Sequence, residues 1–335
     1  MLVFRYFVSR FLSYLLIIFV GVTIVFFVPR FTPVSAAEAI ISQAYSQGSF
    51  LDPKAAEAMR ENLLESFGLQ GTLLEQYSGF WSRALTGDFG PSFSTFPMPV
   101  SQLILEALPW TVGLLVISSL IAWLVGNLMG LFAGYFERGF GWRLLEGVAV
   151  AIYPVPYYIL GLALILFVSY LFPSFPIGIG GVAIGLEPGF NLPFILSAVQ
   201  NALLPALSIV LVSYGWWFLS MKALTSSLKR EDHVQFAETM GLKRRTIMSQ
   251  YVLRNAMLPQ VTQLAMSLGT VFSGALLTEV LFAYPGLGTL LYTAAANGDY
   301  NLLVGIASLS VVAVATAGLL LDLFYPLLDP RVRYA

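Results

Sequence analysis

Six long apolar runs constrain this chain more than any other feature of its sequence. A helix needs about 20 apolar residues to cross the roughly 30 Å hydrocarbon layer of a bilayer. Hydrophobic residues make up 58% of the 335 positions and charged residues only 10%, too much apolar surface for one soluble core. The sequence therefore predicts an all-α, polytopic membrane protein with six transmembrane helices, near residues 9–29, 110–135, 147–172, 199–221, 262–283 and 302–326.

The first run has the flanks of either a signal peptide or a membrane anchor. Arg5 and Arg10 precede it, and Ala37-Glu-Ala39 faintly resembles a cleavage site. The apolar stretch from Phe11 to Val28 is longer than a normal signal core. We therefore expect a retained transmembrane helix within residues 1–30.

Basic residues indicate which way the chain crosses the membrane. With the N-terminus inside, 13 of the 17 lysines and arginines lie on the cytoplasmic side, as the positive-inside rule requires. Both termini are then cytoplasmic, and residues 31–109 form an extracytoplasmic insertion between the first two helices. Residues 110–335 form the remaining membrane core, with five helices.

The insertion contains one predicted helix. Asp52 and Pro53 are suited to begin it, Gly68 to end it, and Met59 and Leu63 place apolar side chains on one face. That face packs on the membrane core or forms a docking surface for an external partner.

A second outer segment, residues 173–198, is predicted to be a loop. Its glycines, between 178 and 185, are not followed by the Lys-Ser or Lys-Thr of a phosphate-binding loop.

A basic segment, Met221–Pro259, separates the fourth and fifth runs and carries seven of the basic residues. It is predicted to form two helices, the first ending at Gly241 and the second interrupted by Pro259. The first offers a small apolar face made of Val234, Ala237, Met240 and Leu242. Such a helix plugs into a groove of a partner protein or lies on acidic lipid headgroups; periodicity leaves both open.

Missing residue types exclude several functions. The chain has no cysteine and one histidine, His233, so thiolate sites, histidine-pair metal sites and the His-Glu-x-x-His protease motif are excluded. A net charge of −1 offers no general attraction to nucleic acid. Since no nucleotide-binding loop is found either, we expect neither enzymatic activity nor a cofactor in this chain.

The ordered motifs of the chain resemble a known family. Phe236-Ala-Glu-Thr-Met-Gly-Leu242 with Arg254-Asn-Ala-Met-Leu-Pro259 is similar to the cytoplasmic "EAA" signature of permease subunits in binding-protein-dependent ABC importers. The dipeptide, oligopeptide and nickel group, and its first (B-type) permease in particular, matches further along the chain. The matching segments are Phe67-Gly-Leu69, Glu75-Gln-Tyr77, Trp81, Gly87-Asp-Phe-Gly90, Ser92, Thr278 to Gly288, Asp299-Tyr300 and Leu327 to Tyr334.

The resemblance implies a type I importer permease fold in the plasma (inner) membrane. It also implies that helix 229–242, within the coupling segment 222–259, docks on an ATP-binding subunit, with Gly241 allowing the turn and Ala237 the close approach. The implied coupling residues are Gln235, Phe236, Ala237, Glu238, Gly241 and Leu242. The chain departs from the signature at Gln235 and Phe236, where the family pattern has glutamate and alanine.

The same resemblance implies partners and cargo. The expected partners are a homologous second permease, two ATP-binding subunits that hold ATP and Mg, an extracytoplasmic solute-binding protein and the lipid bilayer. The expected cargo is a peptide, with oligosaccharides, opines and nickel chelates as alternatives. An ion-coupled secondary transporter is the alternative from another class, although it predicts more buried charges and interrupted repeats.

Acidic and proline-rich positions within or near the runs are candidates for gating or subunit contact. Glu279 and Asp322 are the most deeply placed acids, and intramembrane charges are candidates for function. Tyr284, Pro285 and Gly286 follow Glu279. A structural role for both acids is the alternative. The segment 153–158 contains two prolines that can kink the third span.

Overall fold

The computed structural model describes residues 2–28, 70–136, 139–173, 189–269 and 276–328, with a few positions between 57 and 68 and between 180 and 186. The all-α class is confirmed over these residues, which contain no β-strand. The α-helices are α1 (Leu2–Phe27), α2 (Leu73–Ala84), α3 (Val100–Phe136), α4 (Phe140–Ile152), α5 (Tyr157–Leu171), α6 (Leu192–Leu228), α7 (Asp232–Thr239), α8 (Arg254–Gly269), α9 (Leu276–Leu281), α10 (Leu287–Ala296) and α11 (Tyr300–Leu328).

Four of these helices are long and apolar enough to cross a membrane: α1, α3, α6 and α11. The bent pair formed by α4 and α5 makes a fifth span if it is counted as one. The predicted span 262–283 includes residues 270–275, which lie outside the described part of the chain. The count of six therefore stays a prediction.

The third predicted span, 147–172, is wrong as a single straight helix. Its two halves, α4 and α5, meet at an angle of 109°. The break lies where Pro154 and Pro156 occur two residues apart. Proline has no N–H to donate and clashes with the preceding turn, so a helix cannot continue through this pair. The kink that the prolines predict is thus large enough to redirect the chain.

Helices α3 and α6, each 37 residues long, form the most extensive helix pair in the fold. Gly126, Gly130 and Gly134 on α3 face α6 at intervals of four residues. A Cβ on Gly130 would lie 2.5 Å from the carbonyl oxygen of Phe218, and one on Gly134 would lie 2.7 Å from that of Lys222. Small residues at this spacing let two helix backbones approach closely in a membrane.

Helices α1 and α11 pack against each other in antiparallel order. The Tyr14 hydroxyl lies 3.1 Å from the Thr316 hydroxyl, and nearer the N-terminus the Tyr6 hydroxyl donates to the backbone oxygen of Asp322 at 3.0 Å. Toward the other end, Gly21 lies against Val311. The opposite face of α1 is apolar and exposed, as expected of a lipid-facing helix.

Helix α2 lies within the predicted extracytoplasmic insertion, residues 31–109, and packs on the C-terminal half of α1. Thr72 and Glu75 form a reciprocal capping box at its start, and the hydrogen bonds from Thr72 hold the pKa of the Glu75 carboxyl below its usual value. The Tyr77 hydroxyl lies 2.8 Å from that of Thr23, and Trp81 stacks on α1 one turn further along. The Thr-x-x-Glu signal for this helix is present in the sequence.

The helix predicted to begin at Asp52 and Pro53 falls mostly outside the described residues, as do Met59 and Leu63. Glu57, Ala58, Glu61, Asn62 and Glu65 are helical, and Gly68 has a φ of +65°. The predicted loop 173–198 is shorter than expected, because Asn191 caps α6 and the helix begins at Leu192.

A buried carboxylate joins the insertion to α11. Asp299 has no exposed surface and accepts hydrogen bonds from the Ser92 hydroxyl and from the backbone and hydroxyl of Ser94, the latter two at 3.0 and 2.8 Å. Its second oxygen accepts the backbone N–H of Leu302 at 3.1 Å and so caps α11. One side chain therefore fixes a loop and a helix that are about 200 residues apart.

The basic segment differs from the prediction at both ends. Residues Met221–Leu228 continue α6 beyond residue 221, where the fourth span was predicted to end, and Met221 is fully buried. Pro259 lies inside α8 and does not end the helix. Between α7 and α8 the chain forms a short turn of helix, Arg244–Thr246, and a π-helix, Ile247–Leu253.

Candidate functional site

Helix α7 is short because a left-handed turn ends it. Gly241 has a φ of +77° and donates its N–H to the carbonyl of Glu238 at 3.0 Å. The N–H of Leu242 reaches back to the carbonyl of Ala237 at 3.3 Å. These two bonds form a Schellman motif, in which glycine is favoured because it adopts positive φ without a Cβ clash. The predicted stop at Gly241 is confirmed.

One face of α7 is buried in the protein's own core. Val234 has no exposed surface and Ala237 only 3%. They pack with buried residues of α3, α6, the π-helix and α8, namely Leu131, Tyr135, Met221, Ile247, Val252 and Ala256. Periodicity located this face correctly, but the protein itself covers it. Ala237 therefore packs on the protein's own core, and the close approach to a partner expected of it stays a prediction.

The other face of α7 is apolar and exposed. Phe236 is 66% exposed, Met240 68% and Leu242 40%. The expected face of Val234, Ala237, Met240 and Leu242 is thus split: the first two point inward and the last two outward, where Phe236 joins them. Gln235 and Glu238 lie on the exposed side as well. We call Phe236, Met240 and Leu242 the exposed face.

Polar contacts hold α7 on the ends of the long helices. The ammonium of Lys229 donates to the backbone oxygen of Tyr135 at 3.0 Å, near the C-terminus of α3, where a cation is favourable. The Tyr135 hydroxyl donates to the backbone oxygen of Arg244 at 3.3 Å. His233 lies 3.3 Å from Glu231 and stacks on Tyr251 of the π-helix. If α7 moves, the end of α3 and the π-helix that it contacts must therefore move with it.

The π-helix that follows α7 is stabilised by a side chain at its end. The amide of Asn255 donates to the carbonyl of Tyr251 at 2.7 Å. Long π-helices are rare and often occur at functional positions. This one leads directly into α8.

Glu279 forms a second polar centre, on the opposite side of the fold. It is fully buried, and one carboxylate oxygen accepts the backbone N–H of Gly288 at 2.7 Å and that of Thr289 at 3.4 Å. The other oxygen accepts the Thr111 hydroxyl at 2.7 Å. Thr111 in turn accepts the N–H of Leu287 at 2.7 Å. Together they satisfy the first three amides of α10, a structural use of the carboxylate.

Tyr284, Pro285 and Gly286 form the tight connection between α9 and α10. Tyr284 is buried against the edge of Trp110, with ring centres 5.8 Å apart. A Cβ on Gly286 would lie 2.3 Å from the Glu279 carboxylate, so only glycine fits beside this acid. The residues predicted for gating or subunit contact thus cluster around Glu279. Thr111 completes the cluster, and no sequence pattern indicated it.

Asp322 lies far from this cluster. Its carboxylate is 3.3 Å from the Arg10 guanidinium, and both side chains are nearly half exposed. The two acids singled out in the sequence therefore occupy unrelated sites. Among the described residues no group of three histidine, cysteine, aspartate or glutamate side chains is placed to hold a metal ion.

The family described as "Binding-protein-dependent transport system inner membrane component" matches residues 126–334, more than half of the chain, including α7, Glu279 and Asp322. The chain belongs to this family. It is thus a permease subunit of an ABC importer of the peptide group, as the motifs of the sequence indicate, and a multi-pass inner membrane protein.

Relatives of this permease resemble it over most of their length. The oligopeptide transport system permease protein AppB of Bacillus subtilis (strain 168) is 29% identical over 287 residues, 85% of this chain and 88% of AppB. The probable peptide ABC transporter permease protein y4tP of Sinorhizobium fredii is 31% identical over 283 residues, 84% and 87% of the two chains. The dipeptide transport system permease protein DppB of Escherichia coli (strain K12) is 27% identical over 344 residues, 98% of each chain.

Proposed function

We propose that the permease is driven by an ATP-binding subunit that docks on the exposed face of α7. The observation that carries this proposal is the division of α7 into two faces. Val234 and Ala237 fix the helix to the membrane core, while Phe236 and Met240 remain more than half exposed. A partner that buried these two side chains would remove their apolar surface from water. This would stabilise the complex by about 1.5–3 kcal/mol for each side chain.

The packing of α7 provides a route for movement into the membrane. Because α7 contacts α3, α6, the π-helix and α8 through one buried cluster, a force on its outer face is shared by these elements. Closure of two ATP-binding subunits around nucleotide then tilts the permease between inward-open and outward-open states. ATP binding selects one state only through a difference in affinity, and α7 is the contact that transmits this difference.

The complete importer contains further chains. We infer a homologous second permease, two ATP-binding subunits that hold ATP and Mg, and an extracytoplasmic solute-binding protein that delivers the cargo. This chain itself carries no ATPase site. With both termini in the cytoplasm, α7 lies on the same side as ATP, and 13 of the 17 basic residues support that orientation.

The proposed cargo is a peptide. The names of relatives from three bacteria, AppB, y4tP and DppB, refer to oligopeptides, peptides and dipeptides. Oligosaccharides, opines and nickel chelates are the alternatives within this transport class. Uptake of labelled peptides by vesicles that contain the assembled importer, with labelled oligosaccharides in parallel, distinguishes them: uptake of sugar alone contradicts the peptide assignment.

Charge placed on the exposed face tests the docking proposal. Phe236→Asp should abolish co-purification of the ATP-binding subunit and peptide uptake, because a carboxylate cannot enter an apolar groove without a large desolvation cost. Thr86→Asp, at an exposed position outside the coupling segment, is the control and should leave both unchanged. Co-purification and uptake at the wild-type level with Phe236→Asp would refute docking through this face.

A substitution at Gly241 tests coupling separately from binding. Open space surrounds the position of a Cβ at Gly241, so Gly241→Val creates no clash, but valine disfavours the φ of +77°. The end of α7 should shift, and ATP hydrolysis should continue while uptake falls. Proteoliposomes measure both rates. Unchanged uptake in Gly241→Val would count against a coupling role for this turn.

A further inference from the structure

A groove lies between α1 and α11 on the outside of the helix bundle. It has a volume of about 530 Å³ and runs between the Arg10–Asp322 ion pair at one end and Gly21 and Ser310 at the other. Apart from the ion pair and a few hydroxyls, its lining is apolar. The surrounding face of α1 is exposed and apolar, so the groove opens toward the lipid phase.

Small residues make room in the groove. Gly318 lies in its wall, and a Cβ at this position would have no neighbouring atom within 4 Å. Gly21, by contrast, is in close contact with Val311. The two helix backbones are therefore close near Gly21, whereas on either side of Gly318 they are joined by tyrosine side chains, Tyr14 to Thr316 and Tyr6 to the Asp322 backbone oxygen. In a membrane, an apolar groove of this size is occupied by an apolar group that is flexible enough to adopt the shape of the groove.

The length of the groove decides between a lipid chain and a protein helix. From Ser310 to Asp322 the α-helix rises about 18 Å. This is close to half of the roughly 30 Å hydrocarbon thickness, the depth of one leaflet. A transmembrane helix of a second subunit would need a groove along the whole span. An acyl chain anchored at one membrane surface needs only this length.

The charges at the end of the groove fit a zwitterionic headgroup. Arg10 and Asp322 lie 3.3 Å apart, and their side chains are 45% and 42% exposed, so each can accept another polar partner. A phosphate suits the guanidinium, and a primary ammonium suits the carboxylate. A phospholipid that carries both groups adjacent to each other complements the pair.

We propose that this groove binds one phospholipid of the ethanolamine type, with an acyl chain along Gly318 and its phosphate and ammonium groups on Arg10 and Asp322. A phosphatidylglycerol headgroup would place no cation on Asp322. A phosphatidylcholine headgroup has a cation without N–H donors, so it cannot hydrogen-bond to the carboxylate. The lipid fixes α1 against α11 and is independent of the ATP-driven movement proposed for α7.

Lipid retention measures this preference. The full-length permease, with the subunits that co-purify, is placed in nanodiscs containing equal parts of ethanolamine, choline and glycerol phospholipids with identical acyl chains. After transfer to mild detergent, native mass spectrometry counts the lipids bound to each chain. We expect enrichment of the ethanolamine lipid by about tenfold, the effect of one charge-assisted hydrogen bond. Retention in the ratio of the nanodisc mixture would overturn the proposal.

Two glycines provide a matched pair for the acyl chain. Gly318→Phe fills the groove and should remove the enrichment, whereas Gly147→Phe, at an exposed glycine of α4 that also has open space around it, should not. Both substitutions replace a poor helix former, so both variants should fold. Equal retention by the two variants, or a cross-link from Gly318→Cys to another protein chain, would contradict a lipid in this groove.

Substitutions at the ion pair test the headgroup. Asp322→Asn leaves the charge of Arg10 unopposed, so the preference should move from the ethanolamine lipid toward phosphatidylglycerol. Arg10→Gln removes the phosphate contact and should lower retention of every phospholipid. If Asp322→Asn keeps the preference of the wild type, the ammonium of the lipid does not lie on Asp322 and the headgroup assignment is wrong.

Discussion

Three helix ends in this permease use the same left-handed turn, with different residues at its centre. The residues are Gly241 after α7, Ala283 after α9 and Gly298 after α10, with φ values of +77°, +47° and +64°. In each case the N–H groups of this residue and the next donate back to the last turn of the helix. Alanine is strained in this conformation because its Cβ crowds the backbone. The turn beside Glu279 thus carries a strain that glycine avoids at the ends of α7 and α10.

The two turns should respond to substitution with opposite signs. Ala283→Gly relieves the left-handed strain and should raise the free energy of unfolding by about 1 kcal/mol, whereas Gly241→Ala should lower it by about 1 kcal/mol. Thermal unfolding of the purified variants in detergent measures both changes. A shift of the same sign in the two variants would show that the turn conformation does not control stability.

Glu279 is expected to act mainly as a helix cap. Glu279→Ala leaves the N–H groups of Gly288 and Thr289 and the hydroxyl of Thr111 without their acceptor, which should lower the free energy of unfolding by about 1–3 kcal/mol. Glu106→Gln, at an exposed acid on α3, is the control and should be neutral. Lost uptake with unchanged thermal stability in Glu279→Ala would instead indicate a gating role.

At the scale of helices, the contact between α3 and α6 determines the spacing of the long spans. Gly130 lies against the backbone of α6, and a Cβ there would be 2.5 Å from an α6 carbonyl oxygen. The G-x-x-x-G spacing from Gly126 to Gly134 is a local signal for close helix packing that the sequence predictions did not use. What the pattern alone does not specify is the partner helix.

Substitution at Gly130 should separate these two helices. Gly130→Leu forces the α3 and α6 backbones apart and should prevent accumulation of folded protein, because overpacking of a tight contact costs several kcal/mol for a side chain this large. Gly113→Leu, in the same helix but with open space at its Cβ, is the control. Size-exclusion chromatography in detergent measures the folded fraction. Equal folded fractions for both variants would contradict the close contact.

Several elements could be predicted because one residue type decides them locally. Glycine stops α7 at Gly241, and the prolines at 154 and 156 break the third span. The end of α6 could not be predicted in this way. The fourth span was predicted to end at residue 221, just before the charged Lys222. The ammonium of Lys222 instead pairs with Glu146 of α4, and the helix continues to Leu228. Such a partner is far away in sequence and leaves no local signal.

The same limit applies to the candidate site. The spacing of Val234 and Ala237 predicts an apolar face on α7, but periodicity does not tell which neighbour covers it. Burial by α3, α6 and the π-helix covers Val234 and Ala237 and leaves Phe236 and Met240 exposed. Likewise, Thr111 reaches Glu279 across 168 positions. The sequence can therefore locate a motif, but contacts with residues distant in sequence determine what each of its side chains does.

At the scale of the whole molecule, the permease has two polar ends that are built differently. One end carries α7, the exposed face and an unusual π-helix that leads into α8. The other end is fixed by two buried acids, Glu279 and Asp299, which cap α10 and α11. The proposed drive through α7 needs such an arrangement: a helix with an uncovered apolar face at one end, where force enters, and a rigid opposite end.

Site-directed cross-linking tests this account most directly, because the chain has no cysteine and a single thiol can be placed at will. Cysteine is introduced in separate variants at Phe236, at Met240 and, as a control on the outer loop, at Thr86, and each is cross-linked in membranes with the co-expressed ATP-binding subunit. The account predicts cross-links from Phe236→Cys and Met240→Cys and none from Thr86→Cys. An intact complex that cross-links at neither position of α7 would contradict it.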